Sequence, residues 1–175
     1  FLPANNKEKP PRIKIDDAPE KIIPELNAII PDRPTEPYDM FNVITAIVDN
    51  GYFFEIMKDY ARSMIIGFAR FSGRPVGIVS NQPQWAAGTI DVDAADKGAR
   101  FIRFCDLFNI PLVTLVDCPG YMIGSEQDWQ GILRHGAKLL YAWADATVPL
   151  VSVILRKSYA GAHYGMLDKG IGADF

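Results

Sequence analysis

An α/β domain with an at least partly parallel sheet is what this chain should form. Two apolar stretches, Pro111–Val116 and Pro149–Leu155, have the length and composition of buried strands, the first like one covered on both faces. Segments of helical period precede each of them, so strand, breaker, helix and strand follow one another. A pair of β-compatible stretches, Met64–Phe71 and Val76–Ser80, adds a hairpin ahead of the parallel part.

Taken in order, residues 1–37 stand apart. They hold Pro3, Pro10, Pro11, Pro19, Pro24, Pro31, Pro34 and Pro37 out of 13 prolines, and no glycine. Proline lacks an N–H and keeps its predecessor extended. This stretch reads as an arm draped over a surface, with a short helix at Glu20–Ile30, and the globular part as residues 38–175. Asp39–Val48 carries an apolar stripe at Phe41, Ile44 and Ile47 and stops at Asn50-Gly51, as a helix would. Ser72-Gly73-Arg74-Pro75 reads as a four-residue hairpin turn. Asp93 is the expected N-cap of a helix running to Phe108, with Ala95, Ala99, Ile102 and Cys105 at spacings of three and four. Asp128–Asp145 reads as one helix with Trp129, Ile132, Leu133, Ala137, Leu140 and Ala144 on the core face. Trp143 and Tyr141 would then be left outside, large enough to anchor a contact between subunits.

The composition narrows the function. Among 175 residues, 49% are apolar and 22% charged, as in an ordinary globular chain. The net charge of -3 argues against bulk nucleic-acid binding. No apolar run approaches the roughly 18 residues of a membrane span. The start, Phe1-Leu2-Pro3-Ala4, has neither a Met nor the basic and apolar regions of a signal peptide. Cys105 and Cys118 fall outside any CxxC pair, so neither a disulfide framework nor a zinc ribbon is expected.

In parallel sheets, chemistry gathers past the strand carboxyl ends. Three segments lie there: 81–88, 117–127 and 156–166. Asp117-Cys118-Pro119-Gly120 has a DxxG shape, but the GxxxxGK[ST] loop a nucleotide site needs is missing. It reads as a tight turn or as a binding loop in which Gly120 and Gly124 admit a ligand close to the backbone. Arg156–Met166 is small at its centre. Such a junction can point N–H groups outward as an oxyanion hole, or it can be a helix start that packs closely; pattern alone does not choose. His135 reads as a packing or surface residue, and His163 as the histidine nearer function. No acid/base constellation and no metal-ligand cluster stands out. An enzyme of this kind would work by positioning, with the nucleophile coming from a substrate or cofactor.

Several stretches then become specific. They include Phe1-Leu2-Pro3-Ala4-Asn5-Asn6, Gly73-Arg74-Pro75-Val76-Gly77, Asn81-Gln82-Pro83, Phe108-Asn109-Ile110-Pro111, Asp117-Cys118-Pro119-Gly120-Tyr121, Arg134-His135-Gly136-Ala137-Lys138 and Arg156-Lys157-Ser158-Tyr159. With them the chain resembles, over essentially its whole length, the carboxyltransferase (β) subunits of biotin-dependent acyl-CoA carboxylases. The propionyl-CoA carboxylase type is most similar, and related decarboxylase and transcarboxylase subunits look alike too.

The resemblance implies a crotonase-like fold of ββα superhelical turns. It makes residues 1–37 an inter-domain arm and 38–175 the first part of the second, biotin-side domain, truncated at both ends. The implied reaction moves a carboxyl group between carboxybiotin and the α-carbon of an acyl-CoA. Gly161 and Ala162 would supply the oxyanion hole, and Pro119, Gly120 and Tyr121 the wall of the biotin pocket. Tyr164 and His163, where propionyl-type members have Asp and Tyr, would bear on acyl preference. No metal is implied. The implied partners are acyl-CoA, a biotin carboxyl carrier protein, a biotin carboxylase subunit, and further copies in a dimer or trimer of dimers. The implied compartment is the cytoplasm, or the mitochondrial matrix in a eukaryote. Two other readings stand beside this one: a non-catalytic module of the same fold, and a hydratase or thioesterase using Glu126.

Overall fold

The computed structural model describes residues 1–16 and 22–175 and is organised around one sheet of five strands, in the order β1-β2-β3-β4-β5. These are β1 (Phe54–Ile56), β2 (Met64–Phe71), β3 (Arg74–Asn81), β4 (Leu112–Cys118) and β5 (Leu150–Ser158). β2 pairs antiparallel with both β1 and β3, while β3, β4 and β5 run parallel. The parallel half is the expected one. The short strand β1 lies outside the expectation, because three residues are too few to show a period.

Side chains of β2 alternate between the two faces. Met64, Ile66 and Phe68 join the core that holds α3 (Val92–Leu107) and α5 (Ile132–Asp145). Ile65 and Ala69 join the core under α2 (Met40–Ile47), which α1 (Leu26–Ile29) flanks. The middle of the sheet is thus covered on both faces, which is why β4 reads as an apolar run rather than as alternation. β5, expected to be buried, is an edge strand and leaves Val153 41% and Ile154 52% exposed. Side chains as fully buried as Ile102 and Leu112 contribute about 1.5–3 kcal/mol each.

Several boundaries differ from the sequence reading, each for a local reason. The hairpin turn has two residues, not four. Ser72 (φ 51) and Gly73 (φ 77) both take positive φ, matching the strand twist, and Arg74 and Pro75 already pair with Phe71 and Arg70. The Asp49 carboxylate accepts from both turn amides, Ser72 N at 3.0 Å and Gly73 N at 2.7 Å. Helix α3 is capped by Asp91, whose side chain accepts from Ala94 N at 2.7 Å; Asp93 lies in the first turn and accepts from the Tyr60 hydroxyl instead. Strand β5 runs to Ser158, so Arg156 and Lys157 are strand residues, not loop.

The single helix expected over Asp128–Asp145 is two, α4 (Ser125–Gln130) and α5, separated at Gly131 (φ 86, ψ 44). That left-handed residue resets the phase. The buried face of α5 is Ile132, Gly136, Leu139, Ala142 and Trp143, while Trp129 and Leu133 are 89% and 86% exposed. Trp143 is therefore not an outer contact residue. It is fully buried, and its Nε1–H donates to the Gly165 carbonyl at 2.9 Å.

The proline-rich arm is docked. Phe1 stacks on Phe68 with the Arg70 guanidinium 4.2 Å above its ring, Asn109 donates to the Asn6 and Glu8 carbonyls, and Ile13 N donates to Gly73 O. Of the helix expected over Glu20–Ile30, α1 is observed; Glu20 and Lys21 lie outside the described residues.

Candidate functional site

The carboxyl ends of β3, β4 and β5 are tied together by polar side chains. Asn81 accepts from Asp117 N at 3.3 Å and donates to Gly88 O at 3.1 Å. Asp117 is fully buried: one oxygen accepts from Arg156 Nε at 2.9 Å, the other from Lys157 N at 3.2 Å, with Lys157 Nζ at 3.4 Å. Arg156 Nη1 also donates to the Arg33 and Glu36 carbonyls at 2.9 and 3.0 Å, and its guanidinium lies 4.8 Å from the Tyr38 ring centre. A buried carboxylate with two cations and a main-chain donor is satisfied rather than reactive. Its work is to fix where the two following loops begin. Burial, and next the Asp117 charge, push the Tyr38 phenol upward.

The loop after β4 is then pinned by Ile90, which donates to Gly120 O at 3.1 Å and accepts from Met122 N at 2.8 Å. This turns Tyr121 inward, between α5 and α6 (Ala160–Gly165). Its ring fits only because the facing residues are glycines. A Cβ on Gly136 would lie 2.9 Å from Cε1, and one on Gly165 would meet the hydroxyl itself. Burial, with a smaller contribution from Cys118, pushes the phenol up to about 12, so Tyr121 stays neutral as a wall. Burial likewise raises the Cys118 thiol to about 11 and the Cys105 thiol further, so neither is a thiolate nucleophile.

Above Tyr121 opens a cavity of about 610 Å³. Its wall is Tyr121–Gly124, Asp128, five residues of α5 (Ile132, Leu133, Gly136, Ala137 and Leu140), Gly161 and Tyr164 of α6, and Ile171. Among the expected site residues, Tyr121, Gly161 and Tyr164 come together in this wall. Pro119 and Gly120 form the half-buried step leading to it. Gly161 lies in the first turn of α6, where an N–H has no intrahelical acceptor. Ala162 has no exposed surface, so of the two expected donors only Gly161 meets the cavity. His163 turns away from it, with Nδ1 2.8 Å from Ser158 Oγ and Nε2 3.4 Å from Asp168 Oδ2.

Glu126 is exposed, accepts from Gln130 Nε2 at 3.4 Å, and is not in the wall. His135 bridges helices instead, with Nδ1 2.9 Å from Asp96. The sequence reading missed the wall residues of α5. Periodicity puts Leu133, Ala137 and Leu140 in the core; the readable signal is that α5 carries two apolar stripes, of which a helix on a sheet buries one. It also missed the Asp117 fork, although an acid ending one apolar run and Arg-Lys ending the next are a readable pairing.

Among the described residues no group of three or more His, Cys, Asp or Glu could hold a metal ion, and no helix is long and apolar enough to cross a membrane.

Comparison with known proteins agrees with this architecture. A family profile described as "Carboxyl transferase domain" matches residues 1–175. The carboxyltransferase subunit of propionyl-CoA carboxylase from Haloferax mediterranei is 52% identical over 174 residues, covering 99% of this chain and 34% of that protein. Methylmalonyl-CoA decarboxylase subunit alpha of Propionigenium modestum is also 52% identical over 174 residues, with the same 99% and 34% coverage. Among solved structures, the transcarboxylase 12S hexamer with hydrolysed methylmalonyl-coenzyme A superposes with a TM-score of 0.96 at 46% identity, over 99% of this chain and 34% of that one. The geranyl-CoA carboxylase β subunit of P. aeruginosa gives 0.83 at 30% identity, over 97% and 32%. The chain spans about a third of the length of the curated relatives it matches.

Proposed function

The chain belongs to the carboxyl transferase family and has its crotonase-like fold, and on that premise we propose that the complete subunit moves a carboxyl group between carboxybiotin and the α-carbon of an acyl-CoA. One observation carries the reading: a single cavity gathers Tyr121, Gly161 and Tyr164 at the carboxyl ends of two parallel strands.

Its chemistry suits biotin, a bicycle that is apolar except at its ureido edge. The wall offers Ile132, Leu133, Leu140 and Ile171 for the apolar part and the Gly161 N–H for the polar edge. When bound, carboxybiotin supplies the carboxyl group. The protein contributes the rest. Gly161 N–H donates to a carbonyl or ureido oxygen, and a donor of this kind is worth about 2.7–4 kcal/mol in a barrier. The neutral Tyr121 keeps the floor uncharged, and the apolar wall of α5 keeps water from competing for the donor. The same arrangement serves transfer in either direction, because forward and reverse share one transition state.

The partners in this reading are an acyl-CoA, a biotin carboxyl carrier protein charged by a biotin carboxylase, and further copies of the subunit. The exposed Trp129 and Tyr141 are among the side chains available for contacts. The compartment is the cytoplasm, or the mitochondrial matrix in a eukaryote.

The test uses the complete subunit with Gly161→Ala and Gly161→Val. A Cβ at Gly161 would lie 3.5 and 3.6 Å from Tyr121 ring atoms, an ordinary contact, so Ala should bind biotin nearly as the parent does. Val adds two methyl groups beside the donor and should cost about 10²–10³ in transfer rate. Equal biotin affinity and equal transfer rate in all three proteins would refute the assignment.

A further inference from the structure

We propose that His163 is a positioning residue: through Ser158 and Asp168 it holds α6 against the sheet, so that Gly161, Tyr164 and Ile171 keep their places in the cavity wall. This rests on the reading that the cavity receives biotin.

Helix α6 has six residues, and its N-cap, Tyr159, makes no side-chain capping bond. A helix this short does not persist without outside support. Its first support is the Trp143 bond to Gly165 O, at the far end. The second support is His163, which reaches back from the last turn toward the strand that precedes the helix. Its Nδ1 lies 2.8 Å from the hydroxyl of Ser158, the last residue of β5, and its Nε2 lies 3.4 Å from Asp168, just past the helix. Asp168 in turn shapes the following turn, accepting from Ile171 N at 2.9 Å through its side chain and from Ala173 N at 3.0 Å through its carbonyl. The His163 ring also meets the Tyr164 ring edge-on, with centroids 5.5 Å apart. One imidazole therefore links the strand end, the helix, and the turn that carries Ile171.

Serine, histidine and aspartate in a row are also the parts of a nucleophile relay. Here the His–Asp separation is long, and neither Ser158 nor His163 belongs to the cavity wall. The row holds; it does not react.

The experiment compares His163→Ala, His163→Gln and Ser158→Ala in the complete subunit. Hydrogen exchange is read on peptides covering 159–173, together with kcat and KM for transfer to an acyl-CoA. His163→Ala should speed exchange of the α6 amides about tenfold, as expected when about two hydrogen bonds are lost. It should lower kcat about tenfold to a hundredfold with KM for acyl-CoA little changed, because a small displacement of positioned groups acts on the chemical step. Gln restores part of both, and Ser158→Ala shows a smaller change of the same kind. Unchanged exchange in both His163→Ala and Ser158→Ala overturns the proposal whatever the activity does. Faster exchange with unchanged transfer keeps the positioning role and removes the functional reading of the cavity. Covalent labelling of Ser158 by a fluorophosphonate, abolished by His163→Ala, overturns it in favour of a nucleophile.

Discussion

Replacing Gly165 with alanine probes how Tyr121 is seated. The added Cβ would clash with the Tyr121 hydroxyl and lie 3.1 Å from Cζ and 3.4 Å from Cε2. The ring has little room to yield, since it also packs against Gly136, where even an added Cβ would come within 2.9 Å of Tyr121 Cε1. Overpacking of this kind costs about 1–3 kcal/mol. Alanine in a helix returns up to about 1 kcal/mol of propensity, so the net loss should be about 1–2 kcal/mol. Tyr121→Phe deletes the atom in conflict together with a weak 3.4 Å bond to Gly136 O, for about 0.5–1 kcal/mol. If the hydroxyl is what Gly165 accommodates, the double variant Gly165→Ala, Tyr121→Phe should be close in stability to Tyr121→Phe alone. Urea midpoints at constant m-value measure all four corners of the cycle. Strict additivity, with the double variant losing the sum of both, would show that Tyr121 does not press on Gly165 and that the cavity floor is built otherwise.

Asp117→Ala strands Arg156 and Lys157 without their carboxylate and should cost about 3–5 kcal/mol, read from the same urea midpoints; a loss below 1 kcal/mol would mean the arm carbonyls suffice for Arg156. For Asp96, burial works to raise the carboxyl, but hydrogen bonds from Lys138 and His135 outweigh it and hold it below 3.8. The folded-state pKa is thus below the unfolded one, so the contribution is present above about pH 4 and fades as pH falls through the folded value. Because Asp96 is more than a third exposed, Asp96→Asn should remove less than about 1 kcal/mol and flatten the acid limb of a midpoint-versus-pH curve. If Tyr164 bears on acyl preference, Tyr164→Asp in the complete subunit should shift the ratio of kcat/KM between propionyl-CoA and a longer or unsaturated acyl-CoA by about 10–200-fold; an unchanged ratio would show that it has no such bearing.

The sequence by itself determined the parallel half of the sheet. Pro111–Val116 is apolar except for Thr114, and only burial on both faces makes such a run tolerable. Pro149–Leu155, interrupted by Ser152, places its strand in the sheet but not its exposure, since Val153 and Ile154 lie half open on the edge strand. It also marked the loops after those strands as the place for chemistry, and it carried the family through motifs spread along the chain. What it left open was phase. Helix α5 has two apolar stripes, and pairing with the sheet decides which is core; the Gly131 break shifted that choice by taking a left-handed conformation no periodicity announces. The site was open in the same sense. Tyr121 faces Gly136 and Gly165, and Asp117 faces Arg156 and Lys157, each pair far apart along the chain. Their meeting depends on how the helices lie across the sheet. Local propensity acts over one helical turn and cannot encode such a meeting; close packing of the whole chain does.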